Sequence, residues 1–135
     1  MWQKNVPAAT ADLEIELQRI AHKLGFSPGI LHVDDSDDPV VIMMETVNGQ
    51  TLSDLYGDDA DDLPEWIWEE IRHMLMTLLD DEGIEYVDIT PYNFMQVGRR
   101  IVMIDFGDAK YRDGEVDWFL QEFLDGQNSW NSDFK

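Results

Sequence analysis

Three residues in the second half of the chain have the types and spacing for chemistry on a phosphate. They are Asp88, Asn93 and Asp105. Asp88 opens the run Asp88-Ile89-Thr90-Pro91-Tyr92-Asn93, so a carboxamide follows a carboxylate five residues on. Asp105 begins Asp105-Phe106-Gly107. One carboxylate can orient or deprotonate an attacking hydroxyl. Oxygen donors from an Asp and an Asn suit the magnesium ions that bridge nucleotide phosphates. Phe94–Val97, then Gly98-Arg99-Arg100, then Ile101–Ile104 reads as a hairpin, which would fold the second carboxylate back beside the first loop. Either motif alone arises readily by chance, and the same residues could simply cap loops. Their order and the hairpin between them carry the weight.

Other elements must hold these loops in place. From Ala8 to Leu24 the residues Leu13, Leu17, Ile20 and Leu24 form one helical stripe, and Gly25 stops it. Ile30–Val33 is a short strand. Val40–Met44 is a continuous apolar run, which predicts a strand buried on both faces. Thr51–Tyr56 predicts a short helix capped by Thr51 or Ser53. The longest helix runs from Pro64 to Asp80, with Ile67, Ile71, Met74, Leu75, Leu78 and Leu79 inward and Gly83 at its end. Trp66 and Trp68 diverge on that helix, so one of them faces outward. Val116–Leu124 reads as a final helix, and the segment from Gly126 as a polar tail. Nothing around Lys4 reads as a strong strand.

Composition narrows the function classes. The chain has 135 residues, no cysteine, and 29 acidic against 9 basic residues, for a net charge of −20. A disulfide scaffold and a cysteine zinc module are excluded. Direct nucleic-acid binding is not expected from so few cations. No apolar run approaches a membrane span, and no secretory signal is evident, so the expected location is cytoplasmic. With 44% hydrophobic residues the chain can build a core. The acids cluster at Asp34–Asp38, Asp58–Asp62 and Asp80–Glu82. They read as solvated loops, as a surface for a basic partner protein, as DNA mimicry or as salt adaptation.

The stretch from Gly83 to Gly107 resembles the protein-kinase catalytic loop and its Asp-Phe-Gly. The chain is similar, over about residues 12–120, to the protein-kinase-like superfamily, and most to small atypical kinases of the RIO and lipopolysaccharide-kinase kind. The Asp-Ile-Thr-Pro-x-Asn phrase also resembles short kinase-like proteins of large DNA viruses and phages, for which the host cell would be the location. The resemblance implies an α+β chain with a minimal kinase-like fold. A small antiparallel sheet plus C-helix (about 1–47) would join a truncated helical lobe (about 48–125) and a tail (126–135).

It implies ATP and Mg²⁺ as cofactors. Asp88 and Asn93 would be the catalytic-loop residues, with Asn93 and Asp105 holding metal. The C-helix Glu that pairs with a lysine would be Glu16, with Glu14 second, and Lys4 the lysine. Met44 would be the gatekeeper, with the Glu45–Val47 backbone facing an adenine, and Asp117 would anchor the catalytic loop. The chain departs from the pattern in three ways. No glycine-rich loop lies upstream, Tyr86-Val87 replaces His-Arg, and no Ala-Pro-Glu follows. These departures keep open a pseudokinase that acts as an acidic binding or inhibitory module. A truncated lobe would leave apolar surface that a homodimer could cover.

Overall fold

A computed structural model describes residues 1–134. It is an α+β structure with two buried clusters and antiparallel pairing in every sheet. The first sheet has the order β1-β3-β2, from Trp2–Val6 (β1), Ile30–Asp34 (β2) and Val40–Met44 (β3). Helix α1 (Ala8–Lys23) covers one face. The smaller core lies between them, built from Val6, Ala11, Ile15, Val40, Ile42 and Met44. β3 is not buried on both faces as expected. Val40, Ile42 and Met44 are buried, while Val41 and Met43 on the opposite face are only half-buried. A single helical layer covers one side of a sheet, so the apolar run overstates the burial.

β1 was not evident in the sequence. Trp2, Lys4 and Val6 share a face by the two-residue period, and a lysine occupies the middle of it. Pairing with β3, where Lys4 stands opposite Ile42, makes the strand. The α1 stripe also differs from expectation. Leu13 is 40% exposed, whereas Glu14 and Gln18 are buried. Polar groups turn inward here because each finds a partner. Gln18 Nε2 donates to the Pro28 carbonyl at 3.0 Å, and Ser27 Oγ donates to the Gln18 carbonyl at 3.1 Å. The α1 N-terminus lacks a local side-chain cap, and Asp38 from the acidic turn accepts from Ala8 N–H instead.

The larger core belongs to the second half. Helix α2 (Leu52–Tyr56) is capped by Thr51, and a 3₁₀ turn (Ala60–Asp62) is capped by Asp59. Helix α3 (Glu65–Glu82) buries the predicted stripe and ends at Gly83, whose φ of 66° closes the helix in the left-handed region. A two-stranded pair joins β5 (Ile84–Glu85) to β8 (Lys110–Tyr111). The other sheet is β4-β6-β7, from Gln50–Thr51 (β4), Phe94–Val97 (β6) and Arg100–Met103 (β7). Helix α4 spans Trp118–Leu124, two residues shorter than expected at its start, because the Asp117 carboxylate caps Phe119 and Leu120 N–H. α1 links the two cores: Ala11 and Ile15 pack in the smaller one, Leu17 and Ala21 in the larger.

The segment after Gly126 is more than a tail. Trp130 packs against Trp68 with ring centroids 4.5 Å apart and the rings tilted by 43°, and Asn131 is buried. The acidic loop at 58–62 is also partly engaged: Asp58 accepts from Ser53 Oγ and from the Tyr92 hydroxyl. Among the described residues no helix is long and apolar enough to cross a membrane.

Candidate functional site

The site forms where β1, α1 and the segment after β7 meet. Lys4 is the focus. Its Nζ lies 2.5 Å from Glu14 Oε2 and 2.9 Å from Asp105 Oδ1, bridging residues ten and 101 positions away in the chain. Burial opposes the lysine charge, but hydrogen bonds and the negative charges of both partners outweigh it and hold the pKa above the ordinary lysine value. Glu14 is almost fully buried, whereas the Asp105 carboxylate keeps 42% of its surface open. Asp105 Oδ1 also accepts from Gly107 N–H at 2.8 Å. A side chain at 107 would place its Cβ 3.2 Å from both Asp105 Oδ1 and Glu14 Oε1, so glycine keeps this corner clear.

The first-choice Glu16 does not join this group, and Glu14 takes its expected place. Glu16 accepts instead from the Tyr111 hydroxyl at 2.6 Å on the exposed side of α1. Helical geometry explains the difference, since side chains two positions apart point to diverging sides. The sheet-facing position belongs to Glu14 once β1 is in place.

The Asp88–Asn93 loop lies beneath. Asn93 Nδ2 donates to the Asp88 carbonyl at 3.0 Å, and the Asn93 carbonyl accepts from Ile104 N–H at 3.0 Å. This second bond ties the loop to the end of β7, directly before Asp105. The hairpin therefore returns Asp105 to the loop, near enough for its charge to act on Asp88. Burial pushes the Asp88 carboxyl up to about 6. A hydrogen bond with Asn93 opposes the rise, while the charges of Asp108 and Asp105 and a hydrogen bond with Asp108 add to it. Asp108 also reaches the cleft beside Lys4, which measures about 320 Å³ and is lined by Lys4, Glu14, Asp105, Gly107 and Asp108 among others.

Several residues that build the site carried no functional signal in the sequence. Tyr86, fully buried, donates its hydroxyl to the Asp105 carbonyl at 2.6 Å and packs edge-on against Phe106. Its hydroxyl is held well above the ordinary tyrosine pKa, by burial first and by the charge of Asp105 second, so it stays a donor. Asn131 donates from Nδ2 to the Val87 carbonyl and from its backbone to the Ile89 carbonyl, pinning both sides of Asp88. Glu85 is also fully buried, and its Oε1 accepts from Asp117 N–H at 2.7 Å. The expected anchor is therefore reversed. The Asp117 carboxylate caps its own helix, and Glu85, next to the loop, reaches across to the Asp117 backbone.

Met44 is buried on the inner face of β3, with its sulfur 3.5 Å from Gln18 Nε2. Glu45 N–H donates to the Gly29 carbonyl, and Glu45 Oε1 accepts from Gly29 N–H. The Glu45 and Val47 side chains line a different cleft from the one that holds Lys4 and Asp105. The structure thus joins Lys4, Glu14 and Asp105 directly, ties the Asp88–Asn93 loop to the residue before Asp105, and leaves Glu16 and the side chains of residues 45 and 47 outside.

No family model and no curated protein matches the chain. Among solved structures the fold is widely shared, with 546 matching chains. One is the complex of Mycobacterium tuberculosis Rv3197 with erythromycin. It aligns at a TM-score of 0.57 with 22% identity, over 75% of this chain and 27% of that one. The present chain therefore spans about a quarter of that protein, and at this identity the likeness is one of fold alone.

Proposed function

We propose that the chain is a minimal protein-kinase-like phosphotransferase that binds a nucleotide with Mg²⁺. The observation that carries this reading is the joining of Lys4, Glu14 and Asp105 through one ammonium group. An ammonium held between two carboxylates is fixed in position and can meet a phosphate oxygen without reorganising. The donor set fits Mg²⁺, which needs only one or two protein oxygens when phosphates and water complete its shell. Asp105 offers its outward oxygen, and Asn93 offers Oδ1 because Nδ2 is already spent on the Asp88 carbonyl. Bound Mg²⁺ would screen the phosphate charge that a cleft with this many carboxylates otherwise repels.

The remaining steps belong to the chain. Lys4 orients the phosphates, and Glu14 holds Lys4 in place. Asp88, half-buried, accepts a hydrogen bond from the acceptor hydroxyl and takes its proton as that oxygen bonds the terminal phosphorus, whose bond to the bridging oxygen breaks to release the nucleoside diphosphate. Asn131 fixes the backbone on either side of that carboxylate, and Tyr86 fixes the backbone at Asp105.

The test is a calorimetric titration with Mg·ATP on wild type, Lys4→Met and Asp105→Asn, with transfer of labelled terminal phosphate measured in parallel. Wild type should bind and both variants should lose the heat. Neither heat, melting shift nor transfer in wild type would sink the proposal. Heat without transfer would favour the alternative of a pseudokinase binding module.

A further inference from the structure

The 9 Lys and Arg residues are outnumbered by 29 acids, yet among those described only Lys4 has a carboxylate within 4.0 Å. Arg99 and Arg100, at the turn between β6 and β7, are exposed and have no carboxylate within 4.0 Å. The other described Lys and Arg residues besides Lys4 are unpaired as well; what sets these two apart is that they are neighbours on one turn, with a single carboxylate residue in the linings beside them.

Two clefts flank this turn. One, of about 410 Å³, is lined by Arg100, His22, Pro28, Val47, Val97 and Val102 among others. The other, of about 550 Å³, is lined by Trp66, Gln96, Gly98 and Arg99. Trp66 is 39% exposed, although Trp68 on the same helix is buried. The one carboxylate in either lining is Glu45, and its Oε1 is already held by Gly29 N–H. Exposed Trp and Arg beside aliphatic side chains, with few acids, is the composition of a protein-binding surface. The hairpin is also rigid. Four residue pairs join β6 to β7, Arg100 Nη2 donates to the Gly25 carbonyl, and Met103 N–H donates to the Phe26 carbonyl. A preorganised face loses little entropy when a partner docks.

We propose that the β6–β7 turn is a docking face for an extended segment of a partner protein that alternates acidic and apolar side chains. Carboxylates of the segment meet Arg99 and Arg100. Its apolar side chains enter the Val97–Val102 cleft on one side and stack on Trp66 on the other. Only an extended segment can cross the turn and use both clefts. The apolar linings select a peptide over a phosphate polymer, whose binding rests on a row of cations that this face does not offer. Neither cleft shares a lining residue with the Lys4 cleft, so this inference stands apart from the proposed phosphotransfer.

The probe is a short synthetic peptide alternating Glu and Leu, titrated into the ¹⁵N-labelled full chain, with a control peptide carrying Lys for each Glu. The expected result is amide shifts at Val97–Val102 and His22 and a shift of the Trp66 indole, with no shifts at these residues from the Lys peptide, whose attraction is to the acidic loops. Affinity should fall about tenfold or more in Arg99→Glu/Arg100→Glu and be largely retained in Arg99→Lys/Arg100→Lys. Should the charge-reversed variant fail to fold, Trp66→Ala decides, with an expected loss of about fivefold or more. The same shifts from the Lys peptide, Glu-peptide shifts centred elsewhere, or the same shifts from a single-stranded RNA would overturn the proposal. So would their appearance on concentrating the chain alone, which would make a second copy the occupant.

Discussion

Replacing Asp88 by Asn should stabilise the ligand-free protein while removing the carboxylate that the proposed chemistry requires. The folded structure raises the Asp88 pKa from 3.8 to about 6, chiefly by burial. A tenfold change in proton affinity corresponds to about 1.4 kcal/mol, so the whole displacement would approach about 3 kcal/mol. Asp88 is only half-buried, and solvent screening reduces this to about 1 kcal/mol. Asn keeps the shape and an acceptor oxygen for the contact with Asn93 and removes the charge near Asp105 and Asp108.

The sign follows from linkage. A carboxylate whose folded pKa is raised is penalised when ionised. The penalty is complete above about pH 6 and disappears as pH falls toward about 4, where the unfolded chain also binds the proton. The stability gap between Asp88→Asn and wild type should therefore be about 1 kcal/mol near pH 7.5, or about 3–5 °C in Tm. It should close on acidification. Circular-dichroism melts of both proteins across this range measure it, and taking the difference cancels the titration of the other acids. A destabilised variant, or a gap that does not change with pH, would refute the reasoning. The same carboxylate acting as a base predicts a phosphotransfer rate that rises with pH through about 6 and then levels.

Removing Lys4 as Lys4→Met strands the Glu14 carboxylate in the smaller core and should cost about 2 kcal/mol in denaturant unfolding, whereas Glu16→Gln, on the exposed side of α1, should cost less than about 1 kcal/mol. If Glu16→Gln proves the more damaging, the assignment of Glu14 as the Lys4 partner is wrong. Asn131→Ala loses a buried hydrogen bond to the Val87 carbonyl and should destabilise by about 1–2 kcal/mol. Faster hydrogen exchange should then appear at Val87–Asn93 before it does in α3, and uniform exchange across the chain would count against a local pin.

Much of this fold was legible in the sequence, because the signals were local. The α3 stripe, the Gly83 stop, the Thr51 cap and the β6–β7 hairpin all depend on period, turn chemistry or capping within a few residues. The loop motif and Asp105 were legible for the same reason, since a short hairpin returns one to the other. β1 was not, because a strand with lysine on its inner face has no pattern until β3 pairs with it. In the α1 stripe Leu17, Ile20 and Leu24 pack as expected, but Leu13 is exposed, and Glu14 and Gln18 are buried by partners that lie elsewhere in the chain. Glu14 and Glu16 are chemically alike and two residues apart, so only the packing of α1 on the sheet could choose between them. Tyr86, Glu85 and Asn131 act through backbone groups that any sequence would supply. The residue types that could do chemistry are fixed by sequence. Which of them meet is decided by long-range pairing, because a carboxylate finds its lysine 101 residues away only when strand, helix and loop have already packed.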